Sequence, residues 1–156
     1  MKYSGNSDRT RGIYFFENDH QEAYNWAKYY HKLSDAEIEV IRADIVVSKD
    51  EVLDLIDSQT HLGYTRLMGG LSNKFFGEDM VPNLDHANDC RLINWICDKK
   101  GYKLVRGVFS PGNKLVERLI EERKTRIRKY HIQLCVRNEC IIKSFGIYSR
   151  RSERYV

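Results

Sequence analysis

Apolar and polar positions along this chain change period repeatedly, and each change predicts a new element. GIYFF, residues 12–16, is a compact apolar run rich in aromatics, which predicts a buried strand. Asp19 then stands three residues before Glu22, the spacing of a capping box, so a helix is predicted from His20. Ala23, Trp26, Ala27 and Tyr30 recur at helical spacing and form its expected core face. EIEVIRADIVV is rich in β-branched residues and predicts a strand over residues 38–47. Ser48 and Glu51 repeat the capping-box spacing, and Val52, Leu55 and Ile56 make the expected buried stripe of a short helix.

Over residues 58–84 the period is lost. Gly63, Gly69, Gly70 and Gly77 interrupt the stretch and Pro82 closes it, which predicts a long loop or an irregular helix. From Asp85 the pattern returns: Ala87, Cys90, Ile93 and Ile96 or Cys97 share one helix face, and Gly101 is the expected C-terminal stop. KLVRGVF predicts a strand, SPGN a turn, and residues 115–123 a charged helix. HIQLCVRN and CIIKSFGIY close the chain as two further strands. In the first of these, His131, Gln133, Cys135 and Arg137 alternate with Ile132, Leu134 and Val136. Such a polar face either borders solvent, the commoner case, or lines a cleft. The implied architecture is α+β, with strands dominating the second half. No glycine-rich phosphate loop follows a strand, which argues against a doubly wound or P-loop fold.

Composition narrows the class. The 156 residues make one ordinary domain, and 31% charged with 42% hydrophobic residues is a globular balance. No apolar run reaches the ~20 residues a bilayer span needs, and no signal-peptide core is visible, so a cytoplasmic protein without a membrane partner is expected. Cys90, Cys97, Cys135 and Cys140 form no C-x-x-C pair and stand near no histidine cluster, so reduced thiols, mostly core, and no metal are expected. The net charge of +4 is concentrated in RKTRIR and SRRSER, which are either solvated faces or contacts for phosphates. There is no zinc helix, no serine-nucleophile elbow and no paired-acid signature of a glycosidase.

Four stretches in order, GIYFFENDHQEAYNWA, DCRLINW, VRGVF and HIQLCVRNECIIKSF, resemble successive landmarks of a family of small bacterial proteins related to the diphtheria-toxin-like (PARP-like) ADP-ribosyltransferases. Some members act as toxins in toxin–antitoxin and phage-defence modules. The resemblance covers residues 12–145 nearly throughout. It implies a single ADP-ribosyltransferase-like domain over residues 1–156, with a twisted mixed β core and peripheral helices. It also implies NAD as substrate, a protein or nucleic-acid acceptor, and an antitoxin or other partner protein.

The resemblance also supplies roles. Tyr14 falls where the transferases keep the tyrosine that stacks on nicotinamide, and Gln133 where many keep a catalytic glutamate and some relatives a glutamine. These two are the implied catalytic residues, with Gly12, Tyr14, Phe15, Glu17 and His131 the implied NAD-binding set. Phe15, alternating with Tyr14, is expected to pack into the core. Breaking the nicotinamide–ribose bond needs an aromatic wall for the leaving ring and a polar group on the ribose as positive charge develops. An amide stabilises that charge less than a carboxylate, so Gln133 implies an acceptor other than arginine, or a weakened enzyme. Relatives carry a Y-H-G-like strand before the G-I-Y-F strand, whereas here MKYSGNSDRTR precedes Gly12 and only Tyr3-Ser4-Gly5 matches in letters; the domain reads as shortened at its N-terminus. The alternative is a catalytically inactive relative that binds a nucleic acid or a partner protein.

Overall fold

The computed structural model describes residues 10–71, 85–109 and 130–148. The elements run β1 (Ile13–Phe16), α1 (His20–Asn25), a π-helical turn (Trp26–Tyr30), β2 (Ile41–Ile45), a 3-10 turn (Lys49–Glu51), β3 (Val52–Asp54), α2 (Ser58–Leu71), α3 (Asp85–Lys100), β4 (Leu104–Phe109), β5 (His131–Val136), a second 3-10 turn (Glu139–Ile141) and β6 (Ile142–Ile147). The architecture is α+β. Four strands form one sheet in the order β1-β5-β4-β3, so the GIYFF and HIQLCV strands are hydrogen-bonded neighbours; β2 and β6 form a separate ribbon. The expected turn at SPGN, the helix over residues 115–123 and both basic clusters lie outside the described residues. No helix among the described residues is long and apolar enough to cross a membrane.

The chain divides into two compact units. The first contains residues 10–14, 47–71, 85–107 and 134–141 of those described. Its core is built by α3, where Leu92, Ile93, Ile96 and Cys97 are buried and pack with Leu53, Val105 and Cys135. Leu92, the most deeply buried residue of α3 at 1% exposure, lies outside the face read from helical spacing, because the helix is covered over a wider arc than one stripe. Gly101 ends α3 as expected: its φ of +72° suits glycine, and its N–H donates to the Cys97 carbonyl at 2.8 Å.

One expectation is overturned in this unit, and for a second stretch one of two open readings is decided. The short helix expected after Ser48 is instead a single 3-10 turn followed by β3, and Ser48 makes no capping bond to the backbone. The reason is tertiary: Val52, Leu53 and Asp54 pair in parallel with Leu104, Val105 and Arg106, burying Leu53. The Arg106 guanidinium meets the Asp54 carboxylate across that register at 3.1 Å. The glycine-broken stretch is not a loop over its first half but the 14-residue helix α2. Asp57 starts it by accepting from the Thr60 N–H at 2.9 Å, and Tyr64 and Met68 pack on the core. The Tyr64 hydroxyl donates to Asp89 of α3 at 2.6 Å.

The second unit contains residues 15–46, 108–109, 130–133 and 142–148 of those described. Here Asp19 caps α1 as the spacing predicts, its Oδ1 accepting from the Glu22 N–H at 2.9 Å. Asp19→Ala should lower stability by about 1 kcal/mol, seen as a lower urea midpoint with unchanged slope. The expected core face of this helix is not realised, because after Asn25 the winding widens into a π-helical turn. The His31 N–H donates to the Trp26 carbonyl, five residues back, and the rings of Trp26 and Tyr30 stack on each other at 4.3 Å while remaining exposed. Strand β2 is shorter than residues 38–47 and pairs antiparallel with β6, placing Ile41 opposite Ile147 and Ala43 opposite Phe145.

Candidate functional site

Strand β5 carries the centre of the candidate site. The polar face, which by sequence either borders solvent or lines a cleft, is largely covered: His131 and Cys135 are buried, Gln133 is half-buried, and the Arg137 side chain is only 10% exposed. An inner strand has neighbours on both edges, and here β1 and β4 flank β5. Polar side chains on it must therefore find partners within the protein.

In the second unit those partners form a cluster around His131. Gln133 Nε2 lies 2.8 Å from His131 Nε2. The Phe16 ring of β1 meets the imidazole edge-on with centroids 5.0 Å apart, and Trp26 backs Phe16 at 6.1 Å. On the other ring nitrogen, Glu22 of α1 approaches Nδ1 to 3.9 Å, with its side chain 12% exposed and that of His131 2% exposed. The Glu17 N–H donates to the Ile132 carbonyl at 2.9 Å, tying the end of β1 to β5. Phe15 is half-buried rather than part of the fully buried core expected for it.

In the first unit, Gly12 and Tyr14 belong to a different environment. Gly12 lies so close to β5 that a Cβ on it would come within 2.5 Å of Cys135 Sγ and 2.6 Å of the Val136 carbonyl oxygen. The Tyr14 hydroxyl donates to the Thr10 carbonyl at 2.9 Å, and the ring is 47% exposed. Burial, then the neighbouring Cys135, pushes the Tyr14 phenol well above its ordinary range, so it stays protonated. The stretch leading into β1 is held by side chains the sequence did not single out together. Arg137 donates to Asn94 Oδ1 at 2.6 Å and to Asp98 at 2.7 Å, and Arg11 meets the same Asp98 at 2.9 Å. The Arg11 N–H completes the arrangement by donating to buried Asn94 Oδ1 at 3.0 Å.

The Cys97 and Cys135 thiols are not nucleophiles here. Burial pushes Cys97 and Cys135 up to about 11, so both carry their proton at neutral pH. Among the described residues no group of histidines, cysteines and carboxylates could hold a metal ion. A cleft of about 330 Å³ in the second unit is lined by His20, Tyr24, Asp35, Ile147 and Tyr148 among others, with His20 stacked on Tyr148 at 4.4 Å. None of the residues implied as catalytic or NAD-binding lines it.

The structure thus joins His131 to Gln133, Phe16 and Glu22, and joins Tyr14 to Thr10 and Cys135. Sequence reading assigned Glu22 only to the helix start, because its spacing from Asp19 accounts for it locally. Nothing in the local pattern signals its approach to a histidine so distant in sequence. Comparison with known proteins finds no match: no family model matches the chain, and no curated protein or solved structure is detectably similar to it.

Proposed function

We propose that this chain is an NAD-dependent ADP-ribosyltransferase of the toxin type, acting in the cytoplasm on a nucleic acid or a protein. The observation that carries the reading is the His131–Gln133 pair, 2.8 Å apart on the strand whose HIQLCVRN motif resembles the family's catalytic strand. The chemistry of the donor set fits NAD. Within the second unit Gln133 offers a neutral amide for the ribose hydroxyls, and Phe15, Glu17 and His131 are the members of the implied NAD-binding set that this unit carries; Tyr14, half-exposed, and Gly12 are those carried by the first unit. In this reading Gln133 touches the sugar as positive charge develops on it. The basic runs RKTRIR and SRRSER favour a nucleic-acid acceptor, since arginines and lysines hold phosphates without regard to sequence.

Incubating the protein with labelled NAD and a cell lysate tests this directly. Transfer of label to RNA, DNA or protein supports the reading and names the acceptor. No transfer and no release of nicotinamide turns the assignment to the inactive binding module. Tyr14→Ala should weaken NAD binding by about 1–3 kcal/mol, the scale of a lost aromatic stack and its apolar area. Calorimetry on a variant shown to be folded by its melting curve checks it, and unchanged affinity removes Tyr14 from the site.

A further inference from the structure

We infer that Glu22 is a positioning residue which, through His131, sets the face of the Gln133 amide that a ligand meets. The identity of that ligand as a ribose rests on the transferase reading; the orientation of the amide does not.

Gln133 Nε2 is an amide nitrogen, which donates and cannot accept. At 2.8 Å from His131 Nε2 it must therefore donate to that ring nitrogen, which must be bare. A neutral imidazole with a bare Nε2 carries its proton on Nδ1. Nδ1 is the atom that Glu22 Oε1 approaches. At 3.9 Å this is a through-space attraction rather than a hydrogen bond, yet it acts between side chains that are 12% and 2% exposed, where screening by water is weak. The carboxylate thus favours the tautomer that the amide requires.

Each member is held from elsewhere. Glu22 is placed by the helix start, where Asp19 accepts from its own N–H at 2.9 Å. The imidazole is flanked edge-on by Phe16 at 5.0 Å, which limits its rotation. With the amide nitrogen committed to His131, the atom Gln133 presents on its other side is Oε1, an acceptor. A hydroxyl donor, such as one of a ribose, is what that atom takes. A proton on Nε2 would set two donors against each other, and the amide would turn over to present its NH2 group instead. Glu22 therefore decides between an acceptor and a donor at position 133 without touching the ligand itself.

Long-range proton–nitrogen correlation spectra of the full chain at neutral pH read the ring directly, with His131→Gln used to assign its signals. The expected pattern is a neutral ring protonated on Nδ1 and bare at Nε2. A ring protonated on Nε2, or on both nitrogens, overturns the inference. Glu22→Gln should hold the ring only partly in the parent form, because the amide keeps a carbonyl dipole near Nδ1 but loses the charge that acts on it. Glu22→Leu should shift the ring toward the Nε2-protonated form, and a parent-like spectrum for that variant overturns the role of Glu22. In NAD turnover, Glu22→Leu should lower kcat by about 10–100-fold, the effect of losing a partner that orients a functional imidazole, with KM changed far less and Glu22→Gln falling between it and the parent. If the parent turns over no NAD while the ring shows the expected tautomer, the transferase reading falls and the positioning role of Glu22 stands.

Discussion

Replacing Gly12 by alanine should destabilise the protein by about 3 kcal/mol, the largest stability effect expected of any single methyl group added here. The new Cβ would stand 2.5 Å from Cys135 Sγ and 2.6 Å from the Val136 carbonyl oxygen, both on β5 and both closer than real Cβ contacts allow. Overpacking of this kind costs about 1–3 kcal/mol. A φ of +157° adds backbone strain for any side chain, about 1–3 kcal/mol where the neighbours cannot adjust. Relief is limited because the preceding residue is pinned, Arg11 donating through its N–H to Asn94 and through its guanidinium to Asp98. A urea titration measures the loss. Adding Cys135→Ala to the variant should recover only part of it, since the clash with the Val136 carbonyl is a backbone contact that no side-chain change removes. A midpoint equal to the parent's would contradict the close passage of this stretch against β5.

Gln133→Ala should lower NAD turnover by about 10²–10³-fold while shifting NAD affinity much less, if the proposed function holds. Removing one well-placed polar stabiliser of a charged transition state has that magnitude, and its effect falls on kcat because the charge is greatest there. The structure adds a reason for the asymmetry. The amide is already held by His131 at 2.8 Å before any ligand arrives, so little ordering remains to be done at the moment of reaction. Gln133→Glu is the sharper variant. Its carboxylate supplies the charge an amide lacks and should raise NAD hydrolysis, while transfer to the natural acceptor falls. Turnover of the three proteins, with folding checked by circular dichroism, separates the outcomes. Equal rates in all three remove Gln133 from the reacting site.

What the sequence by itself determined are the elements whose signals are local. The GIYFF strand (though not its expected burial, since Ile13 and Tyr14 are exposed), the Asp19 cap, the glycine stop at Gly101 and the VRGVF and HIQLCV strands emerge where they are predicted, because each depends on periodicity or on backbone bonds made within a few residues. Only the tertiary structure decided the rest. Ser48 and Glu51 have the letters of a helix start, yet the parallel partner Leu104–Arg106 converts the following residues to a strand, since a strand–strand ladder is set by a distant segment. The face of the helix after Asp19 reads as core, yet a π-helical turn sends Trp26 and Tyr30 outward to stack on each other. The alternating polar face of β5 reads as bordering solvent or lining a cleft, and its place between β1 and β4 decides that His131 is buried and has partners within the protein. Glu22 is the clearest case: as a helix-start residue it is fully explained by its neighbours in sequence, and only folding brings its carboxylate to His131. Local chemistry is written in spacing, whereas the pairing of buried polar groups depends on which distant side chains share a space that water has left.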